Sequence, residues 1–496
     1  MTLGPLALVL TLLAGSPGAT PSRLDKMARV LALEDRRSLG AGDLERLLRD
    51  LDRSVRRRAA LAAGRIGDAA LVPSLIDLMN DPEPEVRQMA AFAMGLIGDR
   101  SAVERLIASL KDVDSVVRGR AAEALGRIGD PRAGPELARL VVESAPKGAP
   151  VVSVRGDDPG SATDPWLELR LGLLALARLK DARAAESALL ASGRPRFDWW
   201  AASWTAMRIE SPLLKPVLMA AASSSDPLSR AYAARGLGAL KDVSQLELVS
   251  GLTRDENQTV VVNALRALAV IADPRGISAV AAALASSDLV VKREALLALA
   301  SLPAERALRA KVVPYVGHEN AALRAAALQA LARIDKDEFA LVLSGLDPDP
   351  VWFVRAALAT ALGEQADDTN VGILFGLLKD PDVRVLPFVL EAMRKARGAD
   401  AFDTLKTHLE HPDLAVRAAA VSNLGALKAS AALPLIVAAY QRALGDAAID
   451  VRAAAVAALA AQKEEVARAL LRAAAGSDPS RVVRVQAGAA LTALGE

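Results

Sequence analysis

Three segments of this chain, SVRRRAALAAGRIGD from Ser54, EVRQMAAFAMGLIGD from Glu85 and VVRGRAAEALGRIGD from Val116, stand 31 residues apart. Arg56, Arg87 and Arg118 share one register, as do Gly64, Gly95 and Gly126, and Asp68, Asp99 and Asp130. A fixed period of this length decides the architecture before any other consideration. Each repeat is one supersecondary unit that buries its apolar face only by stacking on its neighbours. Looser copies continue, among them SRAYAARGLGALKD from Ser229, LRAAALQALARID from Leu323, VRAAAVSNLGALK from Val416 and VRVQAGAALTALGE from Val483. About fourteen units cover nearly everything after residue 40.

Each unit reads as two helices. Leu71, Leu75, Ile76 and Met79 form one apolar stripe at helical spacing, Asp81-Pro82 breaks the chain, and Val86, Ala90, Met94 and Ile97 form a second stripe. Gly98 ends the second helix, because glycine readily takes the left-handed conformation that follows a helix. With 52% hydrophobic residues but only 3% aromatics, the chain suits thin Ala/Leu layers better than one large core. The expected fold is all-α: a right-handed α-solenoid of about fourteen two-helix repeats.

The expected organisation is a signal peptide over 1–19, an N-terminal capping helix over 20–39, and a continuous repeat array over 40–496. An insertion at about 143–165 interrupts the array. The apolar run Leu6–Ala14 is too short to span a bilayer and is followed by small, turn-prone residues, which predicts export with cleavage near Gly18 or Ala19. The segment before that run carries no Lys or Arg, so a cytoplasmic chain with an apolar N-terminal cap is the alternative. No membrane span is expected in the mature chain.

A 31-residue helical hairpin with D-P at its turn and V-R opening its second helix resembles the HEAT family, in the short bacterial form named after phycobilisome lyases. The resemblance implies a paired-helix solenoid, and the first reading is a non-catalytic scaffold that binds a protein or peptide along the concave face of the array. Similar arrays also occur beside enzymes, including bilin lyases and peptidyl-prolyl isomerases, so a non-catalytic accessory array is the second reading. Nothing in the sequence carries lyase activity across.

The chemistry-bearing residues are few. Cysteine is absent, which excludes disulfides and thiol nucleophiles. His408 and His411, with Asp413 nearby, are the one tempting metal cluster. His411, however, precedes Pro412 in an inter-helix turn where other units place Asp, which favours a capping role. No catalytic motif, metal site or cofactor site is expected, and the chain is read as no enzyme. The near balance of 61 Lys and Arg against 59 Asp and Glu gives no general footprint for nucleic acid.

One basic residue per unit occupies the same helical position: Arg56, Arg87, Arg118, Arg230, Lys292, Arg324, Arg355, Arg384, Arg417, Arg452 and Arg484. Such a residue can donate to turn carbonyls and to an Asp of the adjacent unit, so a structural ladder is expected. Leu169, Trp199 and Val261 interrupt it, close to the insertion and to most of the tryptophans. Trp200 and Trp204 are one turn apart and point away from the predicted core stripe. They, the adjoining Trp199, and Phe92, Gln88, Arg170, Arg235 and Arg266 are the expected partner-binding residues, with a protein or peptide as partner. Val482, Val485 and Ala489 lie on faces that a further helix would cover, so the C-terminal edge is expected to dock on a partner or a second copy, or to be followed by more sequence.

Overall fold

A computed structural model describes residues 21–145, 166–365, 368–445, 448–462 and 464–496. The signal peptide read over 1–19 and nearly all of the insertion therefore lie outside the described residues. The chain forms two compact units, Met1–Ala267 and Leu268–Glu496. Both are arrays of paired helices, and the all-α expectation holds. The one exception among the described residues is a two-residue antiparallel ribbon, Leu190–Ala191 with Arg194–Pro195, in which Leu190 faces Pro195.

In the first unit a helix Arg23–Asp35 opens the fold, and its N-terminus is closed by reciprocal bonds between Ser22 and Asp25. The second helices of the hairpins that follow are Arg53–Ile66, Pro84–Ile97, Ser115–Ile128, Leu167–Leu179, Trp200–Ile209 and Pro227–Ala239. The second unit repeats the layout with Leu289–Ser301, Ala321–Ile334, Trp352–Gly363, Leu386–Arg397, Leu414–Leu427, Ile449–Ala460 and Arg481–Ala493. In the first hairpins the first helices are shorter: Val72–Leu78 and Val103–Ser109 are entered through single turns of 3-10 helix, Ala69–Leu71 and Arg100–Ala102.

Every letter of the recurring G-x-x-G-D has a separate job. A Cβ on Gly64 would stand 2.7 Å from the Cα of Ala93 in the next second helix. Gly95 meets Ala124 at 2.7 Å and Gly126 meets Ala175 at 2.6 Å. A mid-helix glycine costs about 1 kcal/mol relative to alanine. Its repetition here marks backbone contact between successive second helices. The following glycine, Gly67 or Gly98, sits at φ 81° or 78° and stops the helix. The Asp then accepts from the backbone two residues on, as Asp68 does from Ala70 and Asp99 from Ser101, and caps the next 3-10 turn.

The ladder is present, and it is bidentate. Arg87 Nε and Nη2 donate to the two carboxylate oxygens of Asp112 at 2.9 and 2.8 Å, while Nη1 donates to the carbonyl of Asp81 at 2.9 Å. Asp81 in turn accepts from Arg56 Nε at 2.6 Å, and the Asp112 carbonyl accepts from Arg118 at 2.7 Å. Each aspartate thus takes a guanidinium from the preceding hairpin on its side chain and one from its own hairpin on its carbonyl. The same rung recurs as Arg230 with Asp255, Arg324 with Asp349, Arg355 with Asp380 and Arg452 with Asp478. At Arg118, just before the insertion, Glu168 supplies the carboxylate instead.

Arg384 does not belong to this ladder. It lies in the 3-10 turn Val383–Val385, pairs with Asp382 and stands 4.5 Å over the ring of Trp352. The contact of Gly363 with Ala392 sets the register and puts Leu386 at the rung position. Where the rung residue is not Arg, the acceptor six residues before the next rung is not Asp: Leu169 is followed by Gly193, Trp199 by Ser224, Val261 by Ser286, Lys292 by His318 and Leu386 by His411. The local capping task survives the loss of charge. Ser224 Oγ accepts from Asp226 N at 3.1 Å, Ser286 Oγ from Asp288 N at 3.1 Å, His318 Nδ1 from Asn320 N at 3.0 Å and His411 Nδ1 from Asp413 N at 3.1 Å. His411 is therefore the turn cap expected of it, and Lys292 sits 5.8 Å from the ring of Tyr315.

Burial pushes the carboxyls of Asp112, Asp255 and Asp349 up, but hydrogen bonds from the rung arginines outweigh it and hold all three below the ordinary value. At Asp380 the bond from Arg355 is the largest influence and acts in the same direction. A carboxylate whose pKa is depressed by folding contributes stability that is complete above its unfolded value, about 3.9, and is lost as pH falls through the folded value. The melting temperature is therefore expected to stay level from about pH 5 to pH 8 and to fall steeply below about pH 4. Thermal scans across that range check it; a loss of stability setting in near pH 6 would point to other groups.

Candidate protein-binding face

Positions one, two, five and nine after the rung residue point away from the packed stripe of each second helix. On Trp200–Ile209 they hold Trp200, Trp204 and Arg208, while Ala201, at the second of these positions, is buried. Trp200 and Trp204 are half-buried, one turn apart on the helix, which packs against Leu167–Leu179 and Pro227–Ala239. The helix is fixed from within: Thr205 Oγ1 is buried within reach of the carbonyls of Ala201 at 2.8 Å and Leu173 at 3.1 Å.

Trp199 departs from the expected face. It is the N-cap residue, in an extended conformation, and only 5% exposed. Its place is the rung position, which faces inward, so the indole fills space that a guanidinium takes elsewhere. Its Nε1 finds no hydrogen-bond partner among the described residues, and its ring meets Trp200 edge-on at 5.8 Å. Trp199 is core, and it supports the pair instead of joining it.

The other expected residues divide. Phe92 is half-buried beneath the guanidiniums of Arg120 and Arg127, at 5.6 and 5.5 Å from its ring. Gln88 Nε2 donates to Asp114 at 3.4 Å, and Arg170 is half-buried. Arg235 and Arg266 are exposed. Arg178 and Arg208, also exposed, escaped the sequence reading although they share a register with Arg65 and Arg127, nine residues after the rung.

Among these outward positions in the first unit, arginine recurs and Glu123 is the sole acid. Two carboxylates are already held by arginine pairs. Arg120 and Arg127 donate to Glu123 at 2.7 and 2.8 Å, and Arg58 and Arg65 grip Glu34 at 2.5 and 2.7 Å. Burial pushes Glu123 up, yet the bonds from Arg127 and Arg120 keep its carboxyl below the ordinary range. The second unit is balanced at the same positions, where Lys395 pairs with Glu364 at 2.8 Å and Arg293 with Glu294 at 2.6 Å. It also holds a cleft of about 680 Å³, apolar on Leu343, Leu346, Leu358 and Ile373, with the Arg355–Asp380 rung in its wall.

His408 Nδ1 lies 2.8 Å from the carbonyl of Thr404, and its ring stacks on His411 at 6.2 Å. No group of three or more metal-ligating side chains occurs among the described residues. No described helix is long and apolar enough to cross a membrane. Val482 and Val485 are 58% and 62% exposed.

A model of HEAT repeats matches residues 41–108, 72–148, 214–300, 279–363, 339–424 and 403–492. The chain belongs to the HEAT-repeat family. Among solved structures, the karyopherin Kap121p bound to the extreme C-terminus of the protein phosphatase Cdc14p matches with a TM-score of 0.54 at 11% identity, over 99% of this chain and 67% of that one. The Kap95:Nup1 complex matches at 0.53 and 14% identity, over 99% and 77%. An engineered protein is 20% identical over 78% of this chain and 98% of its own, with a TM-score of 0.34. At these identities the likeness is one of fold. No curated protein matches the chain.

Proposed function

We propose that this HEAT-repeat protein is a non-catalytic scaffold that binds a protein or peptide on the outward face of its second helices, centred on Trp200 and Trp204. The observation that carries this is a half-exposed indole pair, rigidly mounted on a helix and bordered by exposed Arg208 and Arg235, in a chain with 3% aromatic residues. Aromatic and arginine side chains are the usual anchors of protein interfaces. The fold supports the reading: Kap121p and Kap95, in the structures named above, hold a phosphatase C-terminus and Nup1. The 31-residue period supports the short form of the repeat, the form of the phycobilisome-lyase relatives, without any lyase chemistry. The apolar run Leu6–Ala14 and the small residues after it support export, so we place the binding partner in the cell envelope or outside the cell.

Affinity capture from the cell envelope tests this reading. Trp200→Ala with Trp204→Ala is expected to weaken capture by about 1 to 4 kcal/mol with little change in melting temperature, and the captured chain is expected to begin after Gly18 or Ala19. Unchanged capture by the double variant would place the interface elsewhere.

The exposed Val482 and Val485 further support docking of the C-terminal edge, on a partner or on a second copy. Sedimentation at increasing concentration is expected to show reversible self-association that Val482→Glu with Val485→Glu abolishes. A strictly monomeric wild type carrying full exchange protection over residues 483 to 494 would mean that the edge needs no cover.

A further inference from the structure

In the first unit the face described above is not merely polar; it is cationic through arginine alone, and several of its guanidiniums lack a partner. Arg178, Arg208 and Arg235 are exposed and hold no ion pair among the described residues. They come from three consecutive second helices, Leu167–Leu179, Trp200–Ile209 and Pro227–Ala239. The same face shows what its arginines bind. One register step away, arginines two and nine residues after the rung close on Glu123, and those of the helix Arg53–Ile66 close on Glu34. Planar guanidiniums match carboxylates in a way that lysine does not.

On the same helices as Arg178 and Arg208 stand Leu174, Trp200 and Trp204, all half-buried and four or eight residues before those arginines. We infer that the partner is an acidic peptide segment, extended across these three helices, whose Asp or Glu side chains meet Arg178, Arg208 and Arg235 while apolar side chains rest on the tryptophans. Neighbouring helices stand about 10 Å apart, so the three span roughly 20 Å, which about seven extended residues cover. A nucleic-acid strand is the less suitable occupant, because apolar side chains adjoin the charges and the chain as a whole is near neutral at +2. The inference rests on the scaffold reading and adds the charge of the ligand to it.

A random-peptide display selection on the full chain tests it, followed by anisotropy with labelled peptides of about ten residues. Enriched sequences are expected to be rich in Asp and Glu with interspersed apolar residues. Replacing their acids by the amides, or introducing Arg178→Glu, Arg208→Glu and Arg235→Glu together, is expected to weaken binding at least about tenfold with melting unchanged. Enrichment of neutral or basic sequences whose binding is lost with Trp204→Ala would overturn the acidic assignment and leave the scaffold reading standing. No enrichment sensitive to either set of substitutions would overturn both. Binding of an oligothymidylate as tight as that of the acidic peptide, lost with the same charge reversals, would identify nucleic acid as the ligand and overturn the inference.

Discussion

A guanidinium and a carboxylate buried between neighbouring hairpins hold much of this structure in register. Arg452 and Asp478 are the deepest pair, with side chains 2% and 0% exposed, and Tyr440 adds a third bond to the same carboxylate at 2.7 Å. Burial and the neighbouring Asp478 carboxylate push the Tyr440 phenol well above its ordinary range, so it remains a donor. Charges so placed cost several kcal/mol each to desolvate, and only a partner of good geometry offsets that cost. The rungs satisfy this condition with two parallel bonds and a third to a turn carbonyl. Loss of one member leaves the other stranded; loss of both leaves an ordinary apolar contact. The sequence follows that rule at Trp199 with Ser224 and at Leu386 with His411, where the arginine and the aspartate are lost together.

Buried rungs and glycine contacts hold successive second helices together and leave the outward positions of those helices free of both roles. In the second unit that freedom is taken up by small residues such as Ala325, Ala356 and Ala418 and by balanced charges. In the first unit it is taken up by arginine and by the half-buried indoles. The same stretch that loses two rungs in succession, at Leu169 and Trp199, carries the tryptophan pair. Losing the charged rung there admits Trp199 to the core, and its ring braces Trp200 from below.

Much of this was legible in the sequence. The repeat period, the paired helices, the positive-φ glycines and the inward arginines all follow from spacing. His411 could be assigned as a cap because its register matched that of Asp81 and Asp112. The misreadings have physical sources. Arg384 shares a local V-R pattern with true rungs, but the helix there begins at Leu386, two residues later. Trp199 was grouped with its neighbours by proximity in sequence, although a 100° step per residue turns it into the core. The mid-helix Gly64 revealed its role only through the backbone of Ala93, which no single repeat contains. Arg178 and Arg208 share a register nine residues after the rung, a signal carried by charge and not by the aromatic residues that mark the rest of this face.

The central claim is that each rung acts as a pair. A thermodynamic cycle on Arg87→Leu, Asp112→Ser and the double variant tests it directly, since both side chains are nearly buried, at 11% and 14% exposed. Each single change is predicted to cost about 3–5 kcal/mol, because it strands a buried charge, and the double variant to cost much less than their sum. Additive losses in the double variant would contradict the account.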